Sequence, residues 1–591
     1  MRQMDRPERN RSVVYPTALV FILTVFAFYY FGHYGWLQLL IASVLIFPLF
    51  GIAYLVFSYK GPGKSKLYGL ERLTSMLPAV KKPKGHVQFK YKIMWTALVV
   101  LLYFVLTNIY IYGLDAAKTI DVFASFRAIF AGAQGSLMDL GIGPIVTASI
   151  VMQLFAGAKI FNLDLQDSKD KAIYQGVQKL MIILMIFVEA IPQAFGYLVP
   201  DPTLVATLGH FAPGYGVFLA QSIIIAQLFI GTYLVFLFDE LVSKYGIGSG
   251  ISLFIAAGVS QQLFTGTFSW LPVSTSALLS ASNPPAGTIP KILYLVSSQP
   301  SSYLYNTGVD QIVFQQPNPL IALIGTLLIF FIVAYFQSSK IELPIAHERV
   351  RGARGRYPLQ LLYASNIPVI LATALLANIS MWTLLFWNSP VLSHIPLLGH
   401  NALLGSYPSS ALLATTTAIS STTPTGGLAF YLYTPNGLSN WLFPIISPAA
   451  YSGTVLFGHS SLQEAAHVVI FFGFMIGASI IFAKFWIETT NMGAASVAKQ
   501  IQSSGMQIPG FRRDPKVMER VLNKYIPAIT VFSGAVVGLL AAGADLIGTV
   551  GQTSGTGLLL AVGIVIQFYE AVGREQLMEM HPVIRQFFAG A

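Results

Sequence analysis

Apolar and polar positions along the chain fall into long blocks, not short alternations. Apolar runs cover about 13–31, 36–57, 93–112, 141–155, 172–198, 217–237, 247–264, 320–335, 361–387, 466–487, 525–546 and 556–572. A helix needs about 20 such residues to cross a bilayer, and a membrane β-barrel would alternate. The pattern predicts twelve helical spans, in an all-α polytopic membrane protein. The first two are separated by only four residues and lack an A-x-A-like cleavage site, so they predict an uncleaved hairpin.

Segment 122–140 breaks the pattern. It is semi-apolar, short and carries Arg127 and Asp139. The run that follows is interrupted at its start by Gly141, Gly143 and Pro144. Irregular backbone at membrane depth survives only where protein buries it or where it lines a cavity. The region is therefore a candidate pore or binding site, and a plain re-entrant or surface loop fits the same pattern. A second unusual stretch runs over 239–262. Asp239, Glu240 and Lys244 precede Gly246, Gly248 and Gly250, and an apolar helix pattern follows. It predicts a solvated polar loop turning into a helix that other backbone approaches closely. Segment 67–78, LYGLERLTSMLP, predicts an amphipathic helix on the cytosolic membrane surface.

Composition agrees with the blocks. Of 591 residues, 54% are hydrophobic and 10% charged, against about 25% charged in soluble chains. Mean hydropathy is +0.65. The net charge of +11 fits either a nucleic-acid partner or the positive-inside rule. With a cytosolic N-terminus, the outer loops hold only Lys118, Arg127 and Lys291 of the 35 Lys and Arg. That sorting supports the topology. Two cytosolic loops, 340–357 and 491–524, carry Arg349, Arg351, Arg354 and Arg356, and Arg512 and Arg513. Spaced arginines suit phosphate contacts, and the positive-inside rule accounts for them as well. The outer loop 387–463 has no Asp, Glu, Lys or Arg. Such a face keeps its charge in an acidic exterior; a flexible neutral loop is the other reading. The absence of cysteine excludes disulfides and thiolate metal sites.

Catalytic chemistry is scarce. His347 and Glu348 do not open an HExxH motif, because Arg351 stands where the second histidine belongs. There is no GxxxxGK[ST] loop, and Gly248 holds the central place of GIGSG, so it is no nucleophile elbow. His394, His400 and His459 are scattered in outer loops without metal spacing. Among polar residues within spans, Glu189 is the informative one. A charge at mid-bilayer costs about 2.5–3.5 kcal/mol on insertion scales, so Glu189 should face protein or water. Gln221 reads as packing glue. A secondary transporter would need several paired ionisable groups at mid-depth. An intramembrane hydrolase would need a Ser/His or Asp/Asp pair, and none is visible.

Several motifs occur together and in order: MDLGIGPIVTASIVMQL, DELVSKYGIGSGISLFIAAGVSQ, ELPIAHERVRGARGRYPLQLLYASNIPVIL, ALLANI, FWIETT, GFRR and GTGLLLAVGIVIQFYE. In this the chain resembles the SecY/Sec61α protein-translocation channel, in its archaeal and eukaryotic form, from about Leu67 onward. The resemblance implies ten helices in two pseudo-symmetric halves, at 67–266 and 320–591, joined by an external loop at 267–319. The extension 1–66 has no counterpart. It implies an apolar pore ring of Ile142, Val146, Ile251, Ile255, Ile370 and Leu560. A plug at about 126–138, with Phe126, Arg127, Ala133, Gln134 and Leu137, would sit beneath the ring and be polar enough to leave into water. Ala133 and Gln134 stand where relatives often carry Arg. Thr147, Glu189 and Asn378 match a polar cluster at a lateral gate. The arginines of the two basic loops match those that dock a ribosome. Further implied partners are small SecE/Sec61γ-like and Secβ-like subunits, nascent polypeptides, the lipid bilayer and, indirectly, the signal recognition particle receptor. No cofactor, metal or enzymatic activity is implied. The expected location is the cell membrane.

Overall fold

A computed structural model describes residues 65–580, less 86, 116–118, 120–125, 158–159, 161–162, 164–166, 274–277, 348–353, 361, 363–365, 389–397, 409–421, 449–458, 491, 504–505, 508–514 and 552. Ten long helices organise it. They are α1 (Phe89–Thr107), α2 (Gly143–Gly157), α3 (Ser168–Gly196), α4 (Gly216–Tyr245), α5 (Gly250–Phe268), α6 (Leu320–Ser338), α7 (Ile367–Asn388), α8 (Ser461–Thr489), α9 (Pro515–Ile547) and α10 (Gly555–Met580). Nine are long and apolar enough to cross a membrane, and α2 is the short one. These match the ten predicted spans from 93 onward to within a turn or two, except where polar residues extend a helix past its apolar run. The predicted N-terminal hairpin lies outside the described residues.

Apolar side chains from these helices merge into one large cluster, with two smaller ones beside it. Helices α8 and α9 meet through small residues. A Cβ on Gly538 would sit 2.8 Å from the Met475 carbonyl oxygen, and one on Gly534 would sit 2.9 Å from the Ile480 Cα. Two glycines four apart thus let the backbones touch, which supplies packing where lipid removes any hydrophobic drive. At the start of α8, Ser460 and Gln463 form a capping box that satisfies free N–H groups.

Two expectations need correction, and a third gains detail. Asp239, Glu240 and Lys244 are not a solvated loop: they form the last two turns of α4. Glu240 pairs with Lys179 of α3 at 2.6 Å and with Lys244 at 2.8 Å, and accepts the Val80 N–H at 2.8 Å. Opposite charges four apart on a helix pair with each other. The segment 67–78 is only a 3-10 turn, Lys66–Leu70, and a short helix, Glu71–Ser75. Leu67 and Leu70 bury against Met152 of α2 and Ile173 and Val177 of α3, so these leucines pack on protein, while Met76 stays exposed. Finally, the two basic loops hold strands. β1 (Lys340–His347) pairs antiparallel with β2 (Arg354–Gln360), and β3 (Met506–Gln507) joins the other edge of β1. Ile341, Leu343 and Ile345 have the two-residue period of a strand.

Candidate functional site

Between α1 and α2 the backbone makes successive tight turns. Phe126, Ala128, Ile129, Phe130, Ala131 and Met138 are buried there. The expectation of a segment polar enough to leave into water therefore meets an apolar interior. Of the expected plug residues only Gln134 is exposed; Ala133 and Leu137 are half-buried. Arg127 and Asp139, the charges that argued against a span, are both buried and face each other at 3.2 Å. Asp139 Oδ1 also accepts the Gly135 N–H at 2.9 Å. Burying either charge alone would be costly, and the pair removes most of that cost.

The seat is built from α1, α4 and α5. The Tyr103 hydroxyl of α1 donates to the Ala131 carbonyl at 3.0 Å, and its ring stacks on Phe254 of α5 at 5.1 Å. Ala131 has φ +51°, a conformation a non-glycine residue adopts only when its surroundings impose it. The Leu137 carbonyl lies against Gly231 of α4, where any Cβ would collide with it. Gly141 has φ +55°, and a Cβ there would strike the Phe130 carbonyl. That glycine lets the chain fold back so that the Ile142 N–H donates to Phe130 O at 2.8 Å.

The six expected ring residues lie on or beside four of the helices. Ile142 precedes α2, Val146 lies in it, Ile251 and Ile255 belong to α5, Ile370 to α7 and Leu560 to α10. Five are buried and Ile251 is half-buried, and all six belong to the same apolar cluster as Phe126, Ile129, Phe130 and Met138. The three expected gate residues also meet. Asn378 Nδ2 donates to Thr147 Oγ1 at 3.1 Å across α7 and α2. Glu189 of α3 is buried beside Thr147, and its Oε1 finds no hydrogen-bond partner among the described residues. Gly143 gives it room: a Cβ there would sit 3.1 Å from Glu189 Oε2.

Of the basic residues, Arg354 and Arg356 lie on β2, while Arg349, Arg351, Arg512 and Arg513 lie outside the described residues. The sheet joins the two loops, through Ala346 opposite Gln507 and His347 opposite Met506. Sequence reasoning missed Tyr103 and Asn366. Asn366, buried at the start of α7, accepts from Gln337 of α6 at 2.6 Å and fits against Gly563 of α10. A signal for it existed, since an asparagine opening an apolar run needs a partner. No such signal existed for a tyrosine within an apolar run. Among the described residues no group of three or more His, Asp or Glu could hold a metal ion.

Comparison with known proteins agrees with this fold. The SecY family profile matches residues 136–569, and the profile of the plug domain of Sec61p matches residues 101–135. The protein translocase subunit SecY of Haloferax volcanii is 45% identical over 520 residues, covering 88% of this chain and 98% of its own. That of Archaeoglobus fulgidus is 41% identical over 524 residues, covering 88% and 98%. A solved structure described as "The structure of a protein conducting channel" superposes with a TM-score of 0.66 at 36% identity, over 87% of this chain and 99% of that one. Another, of Sec61 in the canine ribosome-channel complex from the endoplasmic reticulum, gives 0.63 at 36% identity, over 87% and 99%. The chain belongs to the SecY family: it is a multi-pass membrane protein with a plug region, a channel subunit and not an enzyme.

Proposed function

We propose that this chain is the central pore-forming subunit through which unfolded polypeptides cross the membrane, with Ile142, Val146, Ile251, Ile255, Ile370 and Leu560 as its constriction. An apolar constriction dewets and so blocks ions, yet it yields to an extended peptide without binding it. One observation carries the reading: the six aliphatic side chains, five of them buried, pack in the same apolar core as Phe126, Ile129, Phe130 and Met138 of the plug. The plug closes the resting channel and leaves as a unit, since its charges are already paired within it.

Sideways release would occur between α2 and α7, beside α3. A polar seam with an unpartnered Glu189 oxygen is a weak closure, because a buried polar atom without a partner costs about 1–3 kcal/mol. An apolar signal segment that parts the helices therefore works against a small barrier. The chain has no P-loop, so the driving force comes from a partner. The basic loops 340–357 and 491–524 are the proposed ribosome dock, and β1–β3 pairing brings their backbones side by side. SecE/Sec61γ-like and Secβ-like subunits complete the complex, which sits in the plasma membrane with a cytosolic N-terminus. The extension 1–66 anchors it.

The chain lacks cysteine, so single cysteines report position cleanly. A ribosome-stalled secretory chain should crosslink to Ile251→Cys and Ile370→Cys, and not to Leu328→Cys on the exposed face of α6. Labelling equal at all three, or absent at the first two, would overturn the ring.

A further inference from the structure

The two helices that carry ring residues from the end of each half begin alike. Asp239, near the end of α4, reaches forward to the start of α5: its Oδ1 accepts the Ile251 N–H at 3.0 Å and the Ser249 hydroxyl at 3.3 Å. Asp545, near the end of α9, does the same for α10. Its Oδ1 accepts the Thr556 N–H at 2.9 Å, and its Oδ2 accepts the Thr556 hydroxyl at 2.7 Å. In both cases the carboxylate takes the N–H of the second residue of the following helix. In both, a Ser-Gly pair opens that helix, Ser249-Gly250 and Ser554-Gly555. Both glycines are required by the approach: a Cβ on Gly250 would sit 2.6 Å from the Asp239 Cα, and one on Gly555 would collide with the backbone of Ala544 and Asp545.

The ring residues stand at matching places. Ile255 is the sixth residue of α5 and Leu560 the sixth residue of α10. At about 1.5 Å per residue, each lies roughly 7–8 Å below its capped end. A helix that crosses the membrane reverses direction at each pass, so α5 and α10, five helices apart, run in opposite directions, and Gly557 of α10 lies against Val259 of α5 while Gly551 before α10 lies against Gly266. One aspartate thus sets the depth of a ring residue from one side, and the other aspartate from the other side.

We propose that Asp239 and Asp545 are paired positioning residues of the channel constriction, each fixing its helix start so that Ile255 and Leu560 meet at one level. The inference rests on the ring assignment above. A carboxylate is suited to this role because it accepts several N–H groups at once and complements the positive end of the helix dipole. In the first half Ser249 adds its hydroxyl to the aspartate; in the second, Ser554 Oγ separately accepts the Gly557 N–H at 3.0 Å. Neither aspartate touches a translocating chain in this scheme, so the effect of losing one is misalignment of the ring.

The test uses the full channel complex in proteoliposomes. Asp239→Ala and Asp545→Ala should each raise resting ion conductance about tenfold, the factor equivalent to a lost cap of about 1.4 kcal/mol. Asp239→Asn and Asp545→Asn keep one carbonyl oxygen for the second N–H and should restore most of the seal. Stalled-chain crosslinking is run in parallel at Ile255→Cys and Leu560→Cys. If the unaltered aspartates already give no crosslink there, the ring assignment fails. If crosslinks are present and the alanine variants neither leak nor shift labelling along α5 and α10, the ring stands and the positioning role is wrong. Should the alanine variants not assemble, Asp239→Glu and Asp545→Glu decide the matter. The longer side chain displaces the helix start, so a leak is expected, and a tight seal would overturn the proposal.

Discussion

Two seams of this bundle are made from different materials. Where α8 meets α9, Gly534 and Gly538 bring backbone onto backbone, and Met475, Val537 and Ala541 fill the remaining space in the main apolar cluster. Where α2 meets α7 and α3, side-chain polar groups do the stitching: Asn378 to Thr147, and Glu189 with one oxygen idle, while the plug beside them carries its own pair, Arg127 to Asp139. Backbone packed that closely on backbone makes contacts that lipid chains do not reproduce as well, so it stays shut. Polar contacts can be exchanged for water or for a passing peptide. On the reading proposed above, the first is a fixed seam and the second a seam built to part, and the difference lies in side-chain chemistry, since both are helix against helix.

The largest effect should come from unbalancing the plug. Arg127→Leu leaves Asp139 buried without its ion-pair partner, a loss of about 3–5 kcal/mol. Resting conductance should rise and the segment should become open to protease. Arg127→Leu with Asp139→Leu should recover much of the seal, because an apolar pair of similar volume replaces a buried ion pair at little cost. If the double variant leaks as much as the single, the pair does more than neutralise itself.

Next comes the fixed seam. Gly538→Leu forces a side chain into the 2.8 Å gap to the Met475 carbonyl oxygen, and overpacking of this kind costs about 1–3 kcal/mol. A lower Tm of the detergent-solubilised complex, without leak at permissive temperature, is the expected result. A variant that melts normally but leaks would mean that α8 and α9 also move during opening.

The parting seam should respond more gently and in the opposite sense. Asn378→Leu combined with Glu189→Leu removes the polar stitching and lets α2 and α7 close on apolar contact. The closed state gains about 1 kcal/mol, the usual worth of such a hydrogen-bond exchange. Signal segments should then need greater hydrophobicity to insert, as read by graded leucine content in a reconstituted assay. An unchanged threshold would remove the polar seam from the mechanism.

Much of this was legible from the chain alone. Long apolar blocks fixed ten of the helices because the bilayer length leaves few alternatives. Ile142, Val146, Ile370 and Leu560 could be singled out through the motifs around them, and all four are buried in the main apolar core. What stayed hidden was pairing. Asp239 and Glu240 look like solvated charges until α5 and Lys179 are in position beside them. Arg127 and Asp139 look like a reason to exclude a segment from the interior until they meet. Leu67 and Leu70 show an apolar face, and no periodicity says whether lipid or α3 will cover it. Each miss concerns a partner distant in sequence, which composition and local pattern do not encode.

The smallest expected effect tests the connector between the halves. Lys291, in helix Thr288–Ser298, is buried, and its ammonium donates to the carbonyls of Gln315 at 2.8 Å and Pro317 at 3.1 Å. Burial lowers its pKa from 10.5 to about 8. Between about pH 8 and 10.5 the folded protein therefore binds fewer protons here than the unfolded chain, and stability rises with pH through that window. Below pH 8 the desolvation cost is fully present. The neutral amine still donates to both carbonyls, so the contact survives deprotonation. Tm should climb by about 1–2 °C on going from pH 7 to 10, a small shift because the chain is large. Lys291→Met should flatten that slope and leave the gate threshold alone. If Lys291→Met moves the threshold instead, the connector belongs with the seam that parts.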